Sequence, residues 1–208
     1  TEDHDFEEIS FFNMFGKKYQ WTTEQTGAVG RFDPSSLAEV LDHVRENVEL
    51  FEKAYGRFET LADSVRFYVN ELFGSEGLMV VDGDDRQLKA QFAPIMKDDI
   101  LHKNAYQRVK QTNEQLLDLG YKSQAFSRPI NFFYLDDFRR RIISDGENFS
   151  VLDSDIKFTK QEILSEIDHY PERFSPNVIM RPVYQEVILP NIAYLGGPAE
   201  IIYWLQLK

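Results

Sequence analysis

Five of the eight prolines fall between residues 171 and 198. Proline removes a backbone donor and clashes with the preceding helical turn, so that stretch cannot hold a long helix. The C-terminal part must therefore consist of short elements joined by rigid loops, while the preceding residues are free to form long ones. Asp33-Pro34 reads as an N-cap followed by proline at the first helical position. Leu37, Val40, Leu41, Val44, Val48 and Phe51 keep helical spacing and predict a helix over 34–54. A second helix is expected over 58–73, with Gly74 just past its end, and a third from beyond Pro94 to about Leu119.

Between these helices, Gly77-Leu-Met-Val-Val81 is a continuous apolar run bounded by glycine and by Asp82-Gly83-Asp84-Asp85. Asn191-Ile-Ala-Tyr-Leu195 has the same character. Continuous rather than alternating apolar runs mark strands buried on both faces, so the two are expected side by side in the sheet of an α/β fold. A small antiparallel meander is expected from Asn131–Leu135, Arg139–Ile143 and Phe149–Leu152, with a turn at Asp145-Gly146. Thr159-x-x-Glu162 is a capping box opening a helix that ends before Pro171, and Pro182 can start a short helix through Ile188. This divides the chain into a core segment with a helical insertion (1–123), a β-meander plus helix insert (124–175) and a return to the core (176–208).

At 208 residues the chain suits one domain or two small ones. Its 42% hydrophobic and 14% aromatic content excludes intrinsic disorder. A net charge of −12 repels a polyanion, so no nucleic-acid partner is expected. Arg139-Arg140-Arg141 is too short to change that. No apolar run approaches the ~20 residues of a membrane-spanning helix, and nothing reads as a signal peptide. The absence of cysteine excludes disulfides, thiolate metal sites and a cysteine nucleophile, and fits a reducing cytoplasm. The charged start and the final amphipathic segment without a C-cap glycine lead us to expect a piece of a longer polypeptide.

Three segments depart from what packing alone requires. Residues 2–8 hold five carboxylates and His4. Neighbouring acids raise a histidine pKa and orient its ring, as a general acid or base needs; the same composition also describes a solvated acidic face. At Leu195-Gly196-Gly197-Pro198-Ala199-Glu200, glycines allow close approach of a ligand, and the amides opening the next helix attract an anion. That segment reads equally as a tight turn with Pro198 at the first helical position and Glu200 complementing the helix dipole. In the third, prolines flank Phe174, Ser175 and Asn177 in a rigid loop that can present Asn177 and Arg181 to a carboxylate or phosphate, and that reads equally as a structural turn whose arginine pairs with local acids. His43 and His102 lie in helical patterns without partner motifs. Neither G-x-S-x-G nor H-E-x-x-H occurs.

Taken in order, the opening Glu2–Ile9, the loop Pro171–Val178 with Arg181-Pro182 and Gln185-Glu186, and Leu189–Glu200 with Tyr203-Trp204 resemble the cysteine-adding enzyme family of bacillithiol biosynthesis. The resemblance implies part of a Rossmann-type, nucleotidyltransferase-like core in an enzyme that adds L-cysteine to glucosaminyl malate. It implies a homodimer of the full-length protein through a C-terminal coiled coil absent here, and leaves a nucleotide such as ATP or ADP open as cofactor. By resemblance, Asp3, His4 and Asp5 belong to the family's acidic motif. Asn177 and Arg181 belong to its proline-rich loop, and Gly196, Gly197 and Glu200 to its strand-to-helix turn. His4 is then expected to transfer a proton, oriented by Asp3 or Asp5, while the turn amides hold a carboxylate or phosphate. No H-x-G-H or K-M-S-K-S signature accompanies these motifs.

Two other classes fit the residues: a non-catalytic acidic binding or scaffold module, and a metal-dependent hydrolase built on the acidic cluster. One histidine among adjacent carboxylates is a poor transition-metal site. Purified protein is therefore expected to carry no stoichiometric metal, and elemental analysis finding one zinc or manganese per chain would favour the hydrolase.

Overall fold

A computed structural model describes residues 8–12, 18–41 and 49–207. The chain divides into two units, Thr1–Gly83 with Asp136–Arg139, and Asp84–Leu135 with Arg140–Lys208.

The first unit opens with an antiparallel hairpin, β1 (Glu8–Phe12) and β2 (Lys18–Thr22), in which Ile9 faces Trp21 across the ladder. Helices α1 (Leu37–Leu41), α2 (Glu49–Arg57) and α3 (Leu61–Phe73) follow. Trp21, Phe32, Leu37 and Tyr55 form the core, flanked by Phe51, Leu61 and Tyr68. The indole of Trp21 donates to Ser36 Oγ at 2.8 Å, so its one polar atom is satisfied where the ring is buried. Thr60 caps α3 by accepting from the Asp63 amide. The helix expected over 34–54 is helical at 37–41 and from 49 onward; residues 42–48 lie outside the described set. Gly74 continues in right-handed conformation through a 3-10 turn, and Gly77, at φ +84°, ends the run.

The second unit begins with α4 (Arg86–His102), capped by Asp85 Oδ1, which accepts from the amides of Gln87 and Leu88. The helix expected to begin beyond Pro94 instead contains it. Pro94 and Ala90 are both exposed, so the carbonyl that loses its helical partner faces water, and the interior proline is tolerated. The helix also breaks earlier than expected: Lys103 sits at φ +59°, and α5 (Asn104–Asp118) starts afresh.

A five-stranded sheet follows, with strands β3 (Phe132–Leu135), β4 (Arg139–Ser144), β5 (Asn148–Val151), β6 (Lys157–Thr159) and β7 (Phe174–Pro176), in the order β6-β5-β4-β3-β7. The expected meander is its centre. The pairings Ile142↔Val151, Phe149↔Phe158 and Tyr134↔Phe174 set the register. This places Ile142, Phe149 and Val151 inside while Ile143 is left 44% exposed. Helix α6 (Lys160–His169) carries the complete capping box: Thr159 Oγ1 accepts from the Glu162 amide, and Glu162 Oε2 from the Thr159 amide. Helices α7 (Met180–Ile188) and α8 (Pro198–Trp204) complete the unit. Its core joins Phe92, Met96 and Ile100 of α4 to Phe132 of β3, Ile163 and Ile167 of α6, and Phe174 of β7.

The architecture is mixed α/β, but the two strands expected side by side are not formed. Residues 77–81 and 191–195 belong to neither sheet. Met79 is 78% exposed, Leu195 99%, and Ile192 fully so. An apolar run specifies that a segment suits burial; it does not supply the strand that would pair with it. No described helix is long and apolar enough to cross a membrane.

Phe174 is fully buried and meets Tyr134 edge-on at 5.6 Å. Phe174→Ala is expected to cost ~3–5 kcal/mol, whereas Thr159→Ala, losing one cap, costs ~1 kcal/mol. Urea unfolding of both variants checks this ranking, and equal losses would contradict it.

Candidate functional site

The break at Lys103 determines what surrounds it. Ending α4 there brings Asp99, in its last turn, over the first turn of α5, where Asp99 Oδ1 accepts from the Ala105 amide at 3.0 Å. The other oxygen, Oδ2, faces the Asn131 amide at 3.4 Å. Asp99 is only 2% exposed, and burial lifts its carboxyl above the usual carboxylate range against the lowering effect of these amides. Its neighbour Asp98 is exposed and behaves oppositely. Hydrogen bonds from His102 Nδ1 at 2.9 Å and Asn104 Nδ2 at 2.6 Å hold its carboxyl below the usual range.

Asn131, fully buried at the entrance to β3, connects this corner to the proline-rich loop. Its Oδ1 accepts from the Arg128 amide and from Asn177 Nδ2, both at 3.0 Å, and its carbonyl accepts from the Asn177 amide. Asn177 Oδ1 in turn accepts from the amides of Ile179 and Met180, satisfying donors that open α7. Asn177, expected to face a ligand, thus spends its side chain on fixing the loop. Arg181 lies exposed in the first turn of α7.

A cavity of about 230 Å³ lies within this unit. Ile95, Val109, Ile179, Met180 and Val183 give it apolar walls, and Asp98, Asp99, Asn104, Arg108 and Gln206 line it with polar groups. Gln206 is 1% exposed and fully engaged. Its Oε1 accepts from the amides of Gln124 and Ala125, and its Nε2 donates to Asn113 Oδ1 and the Ala125 carbonyl. Arg108 is exposed, and among the described residues its guanidinium makes no ion pair.

The turn opening α8 is closed on itself. Glu200 Oε2 accepts from the Gly197 amide at 3.0 Å, so a carboxylate of the chain occupies the place read as an anion site. The two glycines differ. A Cβ on Gly196 would lie 2.5 Å from the Tyr194 ring, which stacks on Trp204 with centroids 3.9 Å apart and planes 13° from parallel. Gly197, at φ −65°, meets only Glu200 Oε2 at 3.9 Å. Among the described residues no hydrogen bond or ion pair joins Asn177 or Arg181 to this turn. Asp3, His4 and Asp5 lie outside the described residues. Sequence reasoning missed Asp99, Arg108, Asn131 and Gln206. No local signal marked them: with the helix read from Pro94 to Leu119, Asp98-Asp99 fall near its start, where the dipole favours carboxylates, and only the break at Lys103 places them at a C-terminus.

The whole chain, residues 1–208, matches the family model described as the N-terminal Rossmann-like domain of bacillithiol biosynthesis BshC. The chain belongs to the BshC family. A protein of Flavobacterium johnsoniae named "Putative cysteine ligase BshC" is 46% identical over 219 residues, covering 100% of this chain and 41% of its own length. A protein of the same name from Cytophaga hutchinsonii is 46% identical over 209 residues, covering 100% of this chain and 40% of itself. One from Salinibacter ruber is 34% identical over 99% of this chain and 41% of its own length. The chain thus spans about two-fifths of the curated BshC relatives it matches. Its α/β class is that of a BshC Rossmann-like domain.

Gly196→Ala is expected to unstack Tyr194 from Trp204, changing tryptophan fluorescence, whereas Gly197→Ala leaves it unaltered. Unchanged fluorescence in Gly196→Ala would show that the stack does not depend on a glycine there.

Proposed function

We propose that this chain is part of an enzyme that joins L-cysteine to glucosaminyl malate through an amide bond in the cytoplasm, as a step in making bacillithiol. What carries this reading is the family match along all 208 residues, together with three motifs in order at 2–9, 171–186 and 189–204. The relatives' name gives the cysteine ligase class; glucosaminyl malate as acceptor and the amide bond come from the resemblance of the motifs. The division into core (1–123 and 176–208) and insert (124–175) belongs to the same reading, as does a dimer of the longer polypeptide through a coiled coil.

Joining a carboxylate to an amine releases water and runs uphill in water, so the carboxylate must be activated; a nucleotide such as ATP is the candidate. His4 then moves the proton that the amine loses, with Asp3 or Asp5 orienting its ring. Arg181 and the Gly196-Gly197 turn face the anionic groups of the substrates, with Glu200 swinging off the Gly197 amide when one binds. Asn177 acts by holding the loop that carries Arg181.

The test is thiol labelling and mass spectrometry of the product formed from cysteine, glucosaminyl malate and ATP. The polypeptide carrying this chain at full family length is expected to form bacillithiol, and the 208-residue chain alone is not. His4→Asn in the longer protein is expected to lower turnover ~10²–10⁴-fold. Absence of product with the longer protein would remove the ligase reading, and full turnover in His4→Asn would remove its proton-transfer step.

A further inference from the structure

The cavity beside the Lys103 break is lined by the opposite charges of Asp99 and Arg108, which, among the described residues, find no counter-ion in the fold. Asp99 is 2% exposed and its oxygens meet only neutral groups, the Ala105 amide and the amide and side chain of Asn131; among the described residues it makes no ion pair. A buried carboxylate without a cation is costly and is normally paired. Arg108 lines the same cavity as a cation that likewise makes no ion pair among the described residues, and it does not reach Asp98 or Asp99 within salt-bridge distance. Opposite charges lining one cavity and held apart leave room for a ligand that carries both signs. Between them, Val109, Ile179 and Met180 supply an apolar floor, each with no more than 3% of its surface exposed. At about 230 Å³ the space falls below the ~300–1,000 Å³ of pockets for drug-sized ligands and suits a smaller molecule.

We propose that this cavity binds a small zwitterionic α-amino acid, its ammonium on Asp99, its carboxylate on Arg108 and a short side chain on Val109, Ile179 and Met180. For the identity of that amino acid, L-cysteine, the proposal rests on the ligase reading; the site itself rests on the cavity. The sulfur of Met180 and the aliphatic walls suit a thiol better than a charged or branched polar side chain. Asp98 stays committed to His102 and Asn104, which keeps it as a fixed neighbour and leaves the ammonium to Asp99.

Calorimetric titration of the longer polypeptide carrying this chain with four ligands tests this without a variant that risks unfolding: L-cysteine, L-alanine, cysteamine (which lacks the carboxylate) and 3-mercaptopropionate (which lacks the amine). L-cysteine is expected to saturate one site per chain, and each truncated analogue to bind about tenfold more weakly or worse. Arg108→Met, a change at an exposed position, is expected to weaken L-cysteine about tenfold and leave cysteamine unaltered, because the coupling exists only when a carboxylate is present. No saturable cysteine binding, equal binding of the truncated analogues, or loss of cysteamine in Arg108→Met would overturn the site. If such a loss of coupling accompanied bacillithiol formation by the longer protein, the ligase reading would stand while the site fell. Equal binding of alanine and cysteine with intact coupling would uphold the site and detach it from cysteine chemistry.

Discussion

Asn131 has no solvent exposure and joins three segments that are far apart in sequence. Its amide reaches Asp99 at the end of α4, its side chain closes on Arg128, and its carbonyl and Oδ1 receive Asn177 at the head of α7. A buried polar group must find its partners or cost the full desolvation penalty, so this asparagine admits only arrangements in which all three segments arrive together. The α4–α5 corner, the entrance to β3 and the proline-rich loop are thereby fixed by one side chain. The cavity opens along the same corner, and the groups that line it inherit their placement from that network.

The parts of the fold that were legible were those written locally. The capping box at Thr159 and Glu162 places α6 without reference to anything distant, and Asp145-Gly146 between alternating runs places the β4–β5 hairpin. Strands β6 and β7, three residues each, are too short to show a period, and only pairing with β5 and β3 makes them strands. The break at Lys103 was not legible because nothing in the local pattern demands it: lysine has no preference for positive φ, and the turn is held by Asp99 accepting from Ala105. Pro94 misled for the opposite reason, since a local rule that usually ends helices yields when the freed carbonyl faces water.

The candidate site was legible in one sense and hidden in another. Asn177 was singled out as a residue with a task, and it has one, but its partners are Asn131 and the amides of Ile179 and Met180. Residue type signals that a polar group in a rigid loop will be used; it does not distinguish a ligand from the protein's own backbone as the thing it serves. The same ambiguity governs Glu200, whose carboxylate complements the opening of α8 as an anion from solution would. The segments 77–81 and 191–195 carry a signal of the converse kind. Their apolar side chains ask for burial that these segments do not find, so pattern gave the requirement and only the three-dimensional structure tells whether it is met.

Net charge constrains what can reach a cation such as Arg108. At −12 the protein repels anions at long range, most strongly those carrying several charges. Screening over ~8–10 Å at physiological ionic strength leaves the immediate surroundings of a site to decide, and around this cavity those surroundings are Asp98 and Asp99. A phosphate-bearing ligand would meet two carboxylates beside one guanidinium. A zwitterion has no net charge to be repelled and gains at both ends once inside. The two carboxylates that penalise an anion therefore sort ligands by charge balance as well as by size, and a lone arginine in an acidic setting selects for a molecule that brings its own positive charge.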